Sequence, residues 1–222
     1  MPPGRVLDIG CGTGGLSAAL IADGREVTSQ DPSERLLDLC RAHLRRRGLD
    51  PSRVRPGGVD EVPERSHFDA VTALDVIEHI DDDVAALTSV REALRPGGLA
   101  VISVPAISRL YGPKDVAVGH RRRYDRSDLL GVIARAGLGL ETCRHWNLVG
   151  VAPVWLSVRR GKRLGEGFRY SSSWPSRALN GALRAWFRWV EEPIHPPIGL
   201  TLLASARRPE RTAAALNRGG RP

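Results

Sequence analysis

The sequence predicts an α/β domain built on a doubly wound, mostly parallel seven-stranded sheet, with an insertion between the last two strands. Short apolar runs alternate with helical stretches, a glycine-rich loop follows the first of these runs, and the alternation breaks after residue 146. The predicted divisions are a core over residues 1–146, an insertion over 147–197, the last core strand over 198–208 and a flexible tail over 209–222.

The predicted strands are short and largely apolar, as strands buried within a parallel sheet are. The first is Val6–Ile9, which leads directly into the glycine-rich loop. The others are, in chain order, Glu26–Asp31, Ser52–Arg55, Phe68–Leu74, Leu99–Val104, Leu138–Arg144 and Ile198–Ala204.

The predicted helices between these strands have recognisable ends. Pro32 and Ser33 start one helix, and Gly48 stops it. The run Asp81–Asp83 places carboxylates at the positive end of another. Ser127 is predicted to cap a helix that runs over residues 128–136.

Composition limits the classes of protein to consider. The sequence has 222 residues, of which 41% are hydrophobic, which is enough for one good core. It contains no stretch of about 20 apolar residues, no signal-peptide pattern and three scattered cysteines, so we expect a cytoplasmic protein. The net charge of +8 would suit nucleic acid, but the basic residues are spread along the chain, and a solvated surface is the simpler interpretation.

The glycine-rich loop over residues 10–15 allows a ligand to approach the backbone closely. Its spacing also satisfies the dinucleotide fingerprint G-x-G-x-x-G, with Asp31 where a ribose-binding acid belongs. Asp8 argues against a dinucleotide and for a cofactor that carries an ammonium group. A carboxylate beside the loop would repel a pyrophosphate but attract an ammonium group.

The segment Val6–Gly14 resembles the first motif of class I S-adenosylmethionine-dependent methyltransferases. Phe68–Ile80 resembles the fourth-strand motif of this family, and Leu94–Leu99 resembles the helix–turn–strand that follows it. The combination is typical of the small-molecule branch, which includes the type 11/12 and ubiquinone-biosynthesis methyltransferases. The resemblance implies a Rossmann-like methyltransferase fold and S-adenosylmethionine as cofactor.

The resemblance also implies a set of cofactor-binding residues. Asp31 would accept hydrogen bonds from both ribose hydroxyls, although it could instead only cap the helix after Pro32. Family members usually have an aspartate for the adenine where this chain has Gly58, so either Asp60 or the backbone of Gly58 and Val59 would hold the base. The full predicted set is Asp8, Gly10, Cys11, Gly12, Gly14, Asp31, Pro32, Gly58, Val59, Asp60, Leu74, Asp75, Val76 and His79.

Methyl transfer from a sulfonium needs mainly alignment and exclusion of water, and sometimes a base. His79 and His120 are the candidate catalytic bases, because a histidine titrates near neutral pH. Asp75, Glu78 and His79 also form a D-x-x-E-H cluster, similar to one thought to hold a divalent cation in some quinone O-methyltransferases. Such acid-rich turns are common in the family, and we assign no metal.

The residues after the fifth strand are predicted to contact the acceptor. The loop Gly119–Tyr124 carries a histidine, three arginines and a tyrosine that could bind an anionic group, or its arginines could pair with nearby acids. The insertion contains an amphipathic stretch, Ala178–Trp189, that could be core, a dimer interface, an acceptor lid or a helix resting on lipid. The predicted substrate-contacting residues are Arg123, Tyr124, Trp155 and Trp186.

The predicted function is methyl transfer from S-adenosylmethionine, most simply to oxygen of a hydrophobic or aromatic metabolite or a lipid-linked acceptor. A nucleic-acid or protein methyltransferase would use the basic surface, although nucleic acid is the less expected partner. An NAD(P)-binding reductase would use the same glycines, and a non-catalytic binding protein would lack an acceptor pocket. A dimer and peripheral membrane contact are left open.

Overall fold

Seven strands form one sheet in the computed structural model, which describes residues 4–159, 181–183 and 185–210. They are β1 (Arg5–Ile9), β2 (Glu26–Asp31), β3 (Val54–Pro56), β4 (Phe68–Leu74), β5 (Leu94–Pro105), β6 (Gly139–Trp146) and β7 (Thr201–Arg207). Their order across the sheet is β3-β2-β1-β4-β5-β7-β6. The first five strands pair in parallel, whereas β7 is antiparallel to both of its neighbours, so the predicted mostly parallel sheet is confirmed.

The helices alternate with the strands along the chain. They are α1 (Gly15–Ala22), α2 (Glu34–Arg46), α3 (Asp83–Ala93), α4 (Pro113–Ala117), α5 (Arg126–Arg135), α6 (Val151–Arg159) and α7 (Glu192–Ile194). Short 3₁₀ turns lie at Ile77–His79 and Ser108–Leu110, and a π-helical turn at Phe187–Glu191 precedes α7. None of the described helices is long and apolar enough to span a membrane.

Both faces of the sheet are covered by helices. Adjacent residues of β1 illustrate this, because successive side chains in a strand point to opposite faces. Leu7 is fully buried in a cluster that includes Leu87 of α3 and Leu129 of α5. Val6 is fully buried in a second cluster, against which Leu20 of α1 packs. The central strands are therefore inaccessible along their length, and ligands can reach the sheet only at its ends.

Several predicted element boundaries were wrong. The last strand, predicted over Ile198–Ala204, lies at Thr201–Arg207, and the third and sixth strands are shifted by one or two residues. Two further differences have a clear structural cause. Strand β5 begins at Leu94 and not at Leu99, because Leu94 already pairs with Phe68 before a register shift across the Pro-Gly-Gly turn. Helix α5 begins at Arg126, and its N-cap is Asp125 and not Ser127. The Asp125 N–H donates to the Asp128 carboxylate (3.3 Å), which closes the first turn.

The chain between β6 and β7 contains α6, the π-helical turn and α7. Much of the predicted insertion and the predicted tail, at residues 160–180, 184 and 211–222, lies outside the described residues. The insertion therefore stays a prediction, as does the amphipathic interpretation of Ala178–Trp189.

Candidate active site

The glycine loop after β1 is shaped by left-handed backbone. Gly10, Gly12 and Gly14 have φ values of 68°, 55° and 79°. A Cβ added to Gly10 would lie 2.5 Å from Cγ2 of Val76, so the loop packs directly on the turn that follows β4. A Cβ on Gly12 would meet nothing within 4 Å. The loop thus presents bare backbone to open space at Gly12.

Asp8 lies beneath this loop. It is 3% exposed, and its Oδ2 and Oδ1 accept hydrogen bonds from the hydroxyls of Ser17 (2.6 Å) and Thr72 (2.7 Å). Burial raises the pKa of Asp8, and the two hydroxyls oppose that shift. The carboxylate is engaged within the protein, so its preference for an ammonium group stays a prediction.

Asp31 ends β2 and joins the glycine loop to the next helix. Its Oδ2 accepts from the Gly12 N–H (3.0 Å), and its Oδ1 accepts from the Ser33 N–H (2.9 Å). The N-cap of α2 is Ser33 itself, whose hydroxyl accepts from the Leu36 N–H. Capping α2 is therefore not the task of Asp31. Pro32 lies exposed beside it.

The loop after β3 is held by its main chain. The Gly58 carbonyl accepts from Gln30 Nε2 (2.6 Å), and the Gly58 N–H donates to Glu61 (2.6 Å). Val59 is 2% exposed, whereas Asp60 is exposed. Because both main-chain groups of Gly58 are already bonded, the predicted contact with adenine is left to Asp60 or to the backbone of Val59, and it stays a prediction.

Asp75 follows β4 with left-handed backbone (φ 54°). Its N–H lies 3.1 Å from Ser103 Oγ, and that hydroxyl donates to Asp75 Oδ1 (3.0 Å). Neighbouring Leu74 and Val76 are half-buried, and Cys11 of the glycine loop is buried at 8% exposure. All of the predicted cofactor residues thus belong to the ends of β1–β4 or to the loops just after them, at the edge where parallel sheets bind ligands.

Glu78 is a fully buried carboxyl group without a hydrogen-bond partner. Its exposure is 0%, and neither side-chain oxygen has a partner among the described residues. Burial raises the pKa of Glu78 to about 8, and the charge of Asp75 adds to the effect. The nearest basic atom is Nε2 of His120, 3.8 Å from Oε1.

The structure brings the two candidate bases together. The ring centroids of His79 and His120 are 4.8 Å apart in an edge-to-face arrangement. His79 Nδ1 lies 3.0 Å from the Gly119 carbonyl, and His120 Nδ1 lies 3.1 Å from Asp115 Oδ1. Burial lowers the pKa of His120, and the hydrogen bond to Asp115 opposes this. Two loops that are 40 residues apart in sequence therefore form one imidazole pair.

The cluster differs from the one that the D-x-x-E-H pattern indicates. The potential ligand atoms of Glu78, His79 and His120 all lie within 4.8 Å of one another, whereas Asp75 bonds Ser103. Sequence spacing could not reveal the contribution of His120. The available signal is topological, since the turns after β4 and β5 follow neighbouring parallel strands.

Arg123 and Tyr124 point into the protein. Arg123 is 8% exposed, and its Nε donates to both oxygens of Asp115 (2.9 Å each). Tyr124 is 2% exposed, and its hydroxyl donates to Asp83 (2.9 Å). Burial raises the pKa of the Tyr124 phenol, and the hydrogen bond to Asp83 raises it as well. These engagements argue against the predicted substrate contacts and favour the alternative in which the loop pairs with nearby acids.

The predicted aromatic contacts lie on the segment between β6 and β7. Trp155 of α6 is 44% exposed, with the Arg159 guanidinium 3.9 Å from its ring centroid. Trp186 donates from Nε1 to Glu191 (3.1 Å). Helix α6 packs against the 3₁₀ turn Ser108–Leu110, so it adjoins the loop that carries His120.

Comparison with known proteins identifies the cofactor-binding part. A family model described as a methyltransferase domain matches residues 7–100. Residues 7–100 are a class I methyltransferase domain. Ubiquinone biosynthesis O-methyltransferases from Cereibacter sphaeroides (strain ATCC 17025 / ATH 2.4.3) and Dechloromonas aromatica (strain RCB) are 38% identical over 99 residues and 37% identical over 101 residues. Each match covers 45% of this chain, and the chain covers 40% and 43% of the two relatives, respectively.

The class I fold extends beyond the matched residues. The solved structure of an S-adenosylmethionine-dependent methyltransferase from Mesorhizobium loti aligns with a TM-score of 0.60 and 18% identity, over 92% of this chain and 90% of that one. The match confirms the predicted family for residues 7–100, and the cofactor that this family implies is S-adenosylmethionine. The predicted Rossmann-like sheet is likewise confirmed.

Proposed function

We propose that this protein transfers a methyl group from S-adenosylmethionine to a hydroxyl group of a small hydrophobic or aromatic acceptor, free or lipid-linked. The observation that carries the proposal is the imidazole pair of His79 and His120, which adjoins the turn packed on the cofactor loop. The relatives named as O-methyltransferases support oxygen as the methylated atom.

The residues at the strand ends fit this cofactor. The backbone is bare at Gly12, where a Cβ would meet nothing, and the Asp31 carboxylate ends β2 beside it. Asp31 would hold the ribose hydroxyls, and the exposed Asp60 would hold the adenine. When bound, S-adenosylmethionine supplies an electrophilic methyl group on positively charged sulfur.

The imidazole pair would take up the proton. Methylation of a hydroxyl forms an oxygen–carbon bond, breaks the carbon–sulfur bond and releases the hydroxyl proton. His120, whose pKa is lowered by burial, is neutral at physiological pH and can accept that proton. Glu78 holds its own proton at neutral pH, because its pKa lies near 8.

The acceptor would lie between the His120 loop and α6. Trp155 offers flat apolar surface, and α6 packs against the turn that begins this loop. Trp186, which is 37% exposed, would extend this surface. Arg123 and Tyr124 would support the loop without touching the acceptor, because both are buried and bonded.

Calorimetry tests the cofactor. S-adenosylhomocysteine, the demethylated product, is expected to bind, and NADH is not. Binding of NADH without binding of S-adenosylhomocysteine would contradict the proposal and favour the reductase.

A panel of phenols, catechols and long-chain alkylphenols with labelled S-adenosylmethionine tests the acceptor. The variant His120→Gln is expected to lower turnover by about 10²–10⁴-fold with S-adenosylhomocysteine affinity within about threefold. His195→Gln is the matched control, because His195 is exposed and, among the described residues, its ring is hydrogen-bonded only to Arg144. Methylation of nucleic acid or protein, with none of the panel, would refute the acceptor class.

A further inference from the structure

Two buried side chains lead to one of the imidazoles, which is itself half-buried. The side chains of Arg123, Asp115 and His120 are 8%, 2% and 17% exposed. Arg123 Nε lies 2.9 Å from each Asp115 oxygen, and Asp115 Oδ1 lies 3.1 Å from His120 Nδ1. The proposed function uses His120 as the base and Arg123 only as a support of the loop, so the carboxylate between them needs an explanation.

Asp115 is held in its ionised form. The Arg123 guanidinium, His120 and the Gly112 N–H together keep the pKa of Asp115 below its usual range despite burial. An ionised carboxylate can only accept hydrogen bonds. The nitrogen that faces it, Nδ1 of His120, must therefore carry the hydrogen, and in the neutral ring Nε2 is left as a proton acceptor.

The backbone holds His120 in this orientation. Its N–H donates to the Asp115 carbonyl (2.8 Å), and its carbonyl accepts from the Tyr111 hydroxyl (2.9 Å). The next residue, Arg121, donates from its N–H to the Glu78 carbonyl (2.8 Å). As a result, Nε2 faces the turn after β4, 3.8 Å from Glu78 Oε1.

We propose that Asp115, clamped by Arg123, is a positioning residue that fixes the Nδ1–H tautomer of His120 and thereby directs Nε2 to accept the proton of the acceptor hydroxyl. The role of Nε2 as proton acceptor rests on the proposed function, whereas the tautomer of His120 is independent of that function. The titratable and charged groups that face His120 are Asp115, Arg123, His79 and Glu78.

Nitrogen-15 NMR of the imidazole rings tests the tautomer without any substrate. In the unaltered protein, His120 Nδ1 is expected to give the shift of a protonated ring nitrogen and Nε2 that of an unprotonated one. In Asp115→Asn the amide oxygen is expected to keep the position that accepts from Gly112, so the amide NH₂ faces Nδ1 and favours the Nε2–H tautomer. Asp125→Asn is the matched control, because Asp125 bonds Ser108 and does not contact His120.

Turnover with an accepted phenol gives the second readout. Asp115→Asn is expected to lower kcat at least about tenfold, with KM for S-adenosylmethionine within about twofold, and to move the acidic limb of the pH profile to lower pH. The shift is downward because Asp115 favours the protonated His120. Asp115→Glu is expected to restore part of kcat.

Several results would overturn the inference. An Nε2–H tautomer in the unaltered protein would do so even if Asp115→Asn does not fold. Equal losses in kcat and cofactor affinity for a folded Asp115→Asn would leave only a structural role. A change in the nitrogen-15 chemical shift of His120 Nε2 on addition of millimolar Mg²⁺ would show that this nitrogen is not a free proton acceptor. Failure of the proposed function is recognised separately, by absence of S-adenosylhomocysteine binding with the tautomer intact.

Discussion

Replacing Glu78 with Gln isolates the cost of keeping an ionisable carboxyl group in the interior. Glu78 is fully buried and its oxygens have no partner among the described residues, so ionisation in the folded state is opposed by desolvation. Its pKa rises from 4.5 to about 8 on folding. Between these two values the folded protein keeps the proton and the unfolded chain releases it, so stability is lost as pH rises through this window.

The magnitude follows from the linkage relation. The difference between the two pKa values lowers the free energy of unfolding by about 2 kcal/mol at pH 6 and by about 4 to 5 kcal/mol at pH 9, where the folded protein is also largely ionised. A glutamine has the same size but does not titrate. The stability of the unaltered protein relative to Glu78→Gln should therefore fall by about 2 to 3 kcal/mol from pH 6 to pH 9.

Urea unfolding of both proteins at a series of pH values measures this difference. Comparing pH slopes, and not single values, removes any cost of burying the amide. Glu192→Gln is the control, because Glu192 is exposed, and its difference from the unaltered protein should stay constant within about 0.5 kcal/mol. A constant gap for Glu78→Gln between pH 6 and 9 would refute the reasoning and show that Glu78 is ionised in the folded state.

Two further substitutions probe the cofactor loop and the carboxylate beside it, and a third probes the buried Tyr124. Asp31→Ala should weaken S-adenosylhomocysteine binding by tens-fold or more in calorimetry, since hydrogen bonds to a charged group contribute about 1.5–3 kcal/mol each; unchanged affinity would contradict its ribose role. Gly10→Ala should lower stability in urea unfolding by about 1–3 kcal/mol, because its φ is 68° and its Cβ would meet Val76. Tyr124→Phe should cost about 1–3 kcal/mol of stability by leaving Asp83 short of a donor, with unchanged cofactor affinity; reduced turnover at full stability would return Tyr124 to the substrate site.

The strands could be predicted where apolar runs are bounded by polar or glycine residues. The predicted bounds of Glu26–Asp31 and Phe68–Leu74 agree with the structure. The start of β5 could not be predicted, because a Pro-Gly-Gly sequence normally ends an element. Here it lies between two successive pairs of β4 and β5, Phe68 with Leu94 and Ala70 with Leu99. Local composition does not encode such a pairing, which depends on a strand 26 residues away.

The glycine loop and the carboxylates at the strand ends could be located from the sequence because their spacing is fixed by the strands, whereas their contacts with the cofactor stay a prediction. For the candidate bases, the residues could be predicted but their contact with each other could not. His79 and His120 were recognised as separate candidates, but their 4.8 Å contact depends on two loops meeting above neighbouring strands. For Arg123 and Tyr124 the sequence left two alternatives open, an acceptor contact or pairing with nearby acids, because the placement of Asp115 and Asp83 beside them depends on the fold.

Glu78 and His120 are neighbours that differ in whether they hold their titratable proton near neutral pH. Glu78 and His120 lie 3.8 Å apart, and burial acts on them in opposite directions, raising the pKa of the carboxyl group and lowering that of the imidazole. Near neutral pH both are therefore uncharged, and only the imidazole has a vacant basic nitrogen. A proton placed on Nε2 would form a cation between the ionised Asp115 on one side and Glu78 on the other. Glu78 would then ionise more readily, so it can stabilise the protonated base that methyl transfer to a hydroxyl must produce.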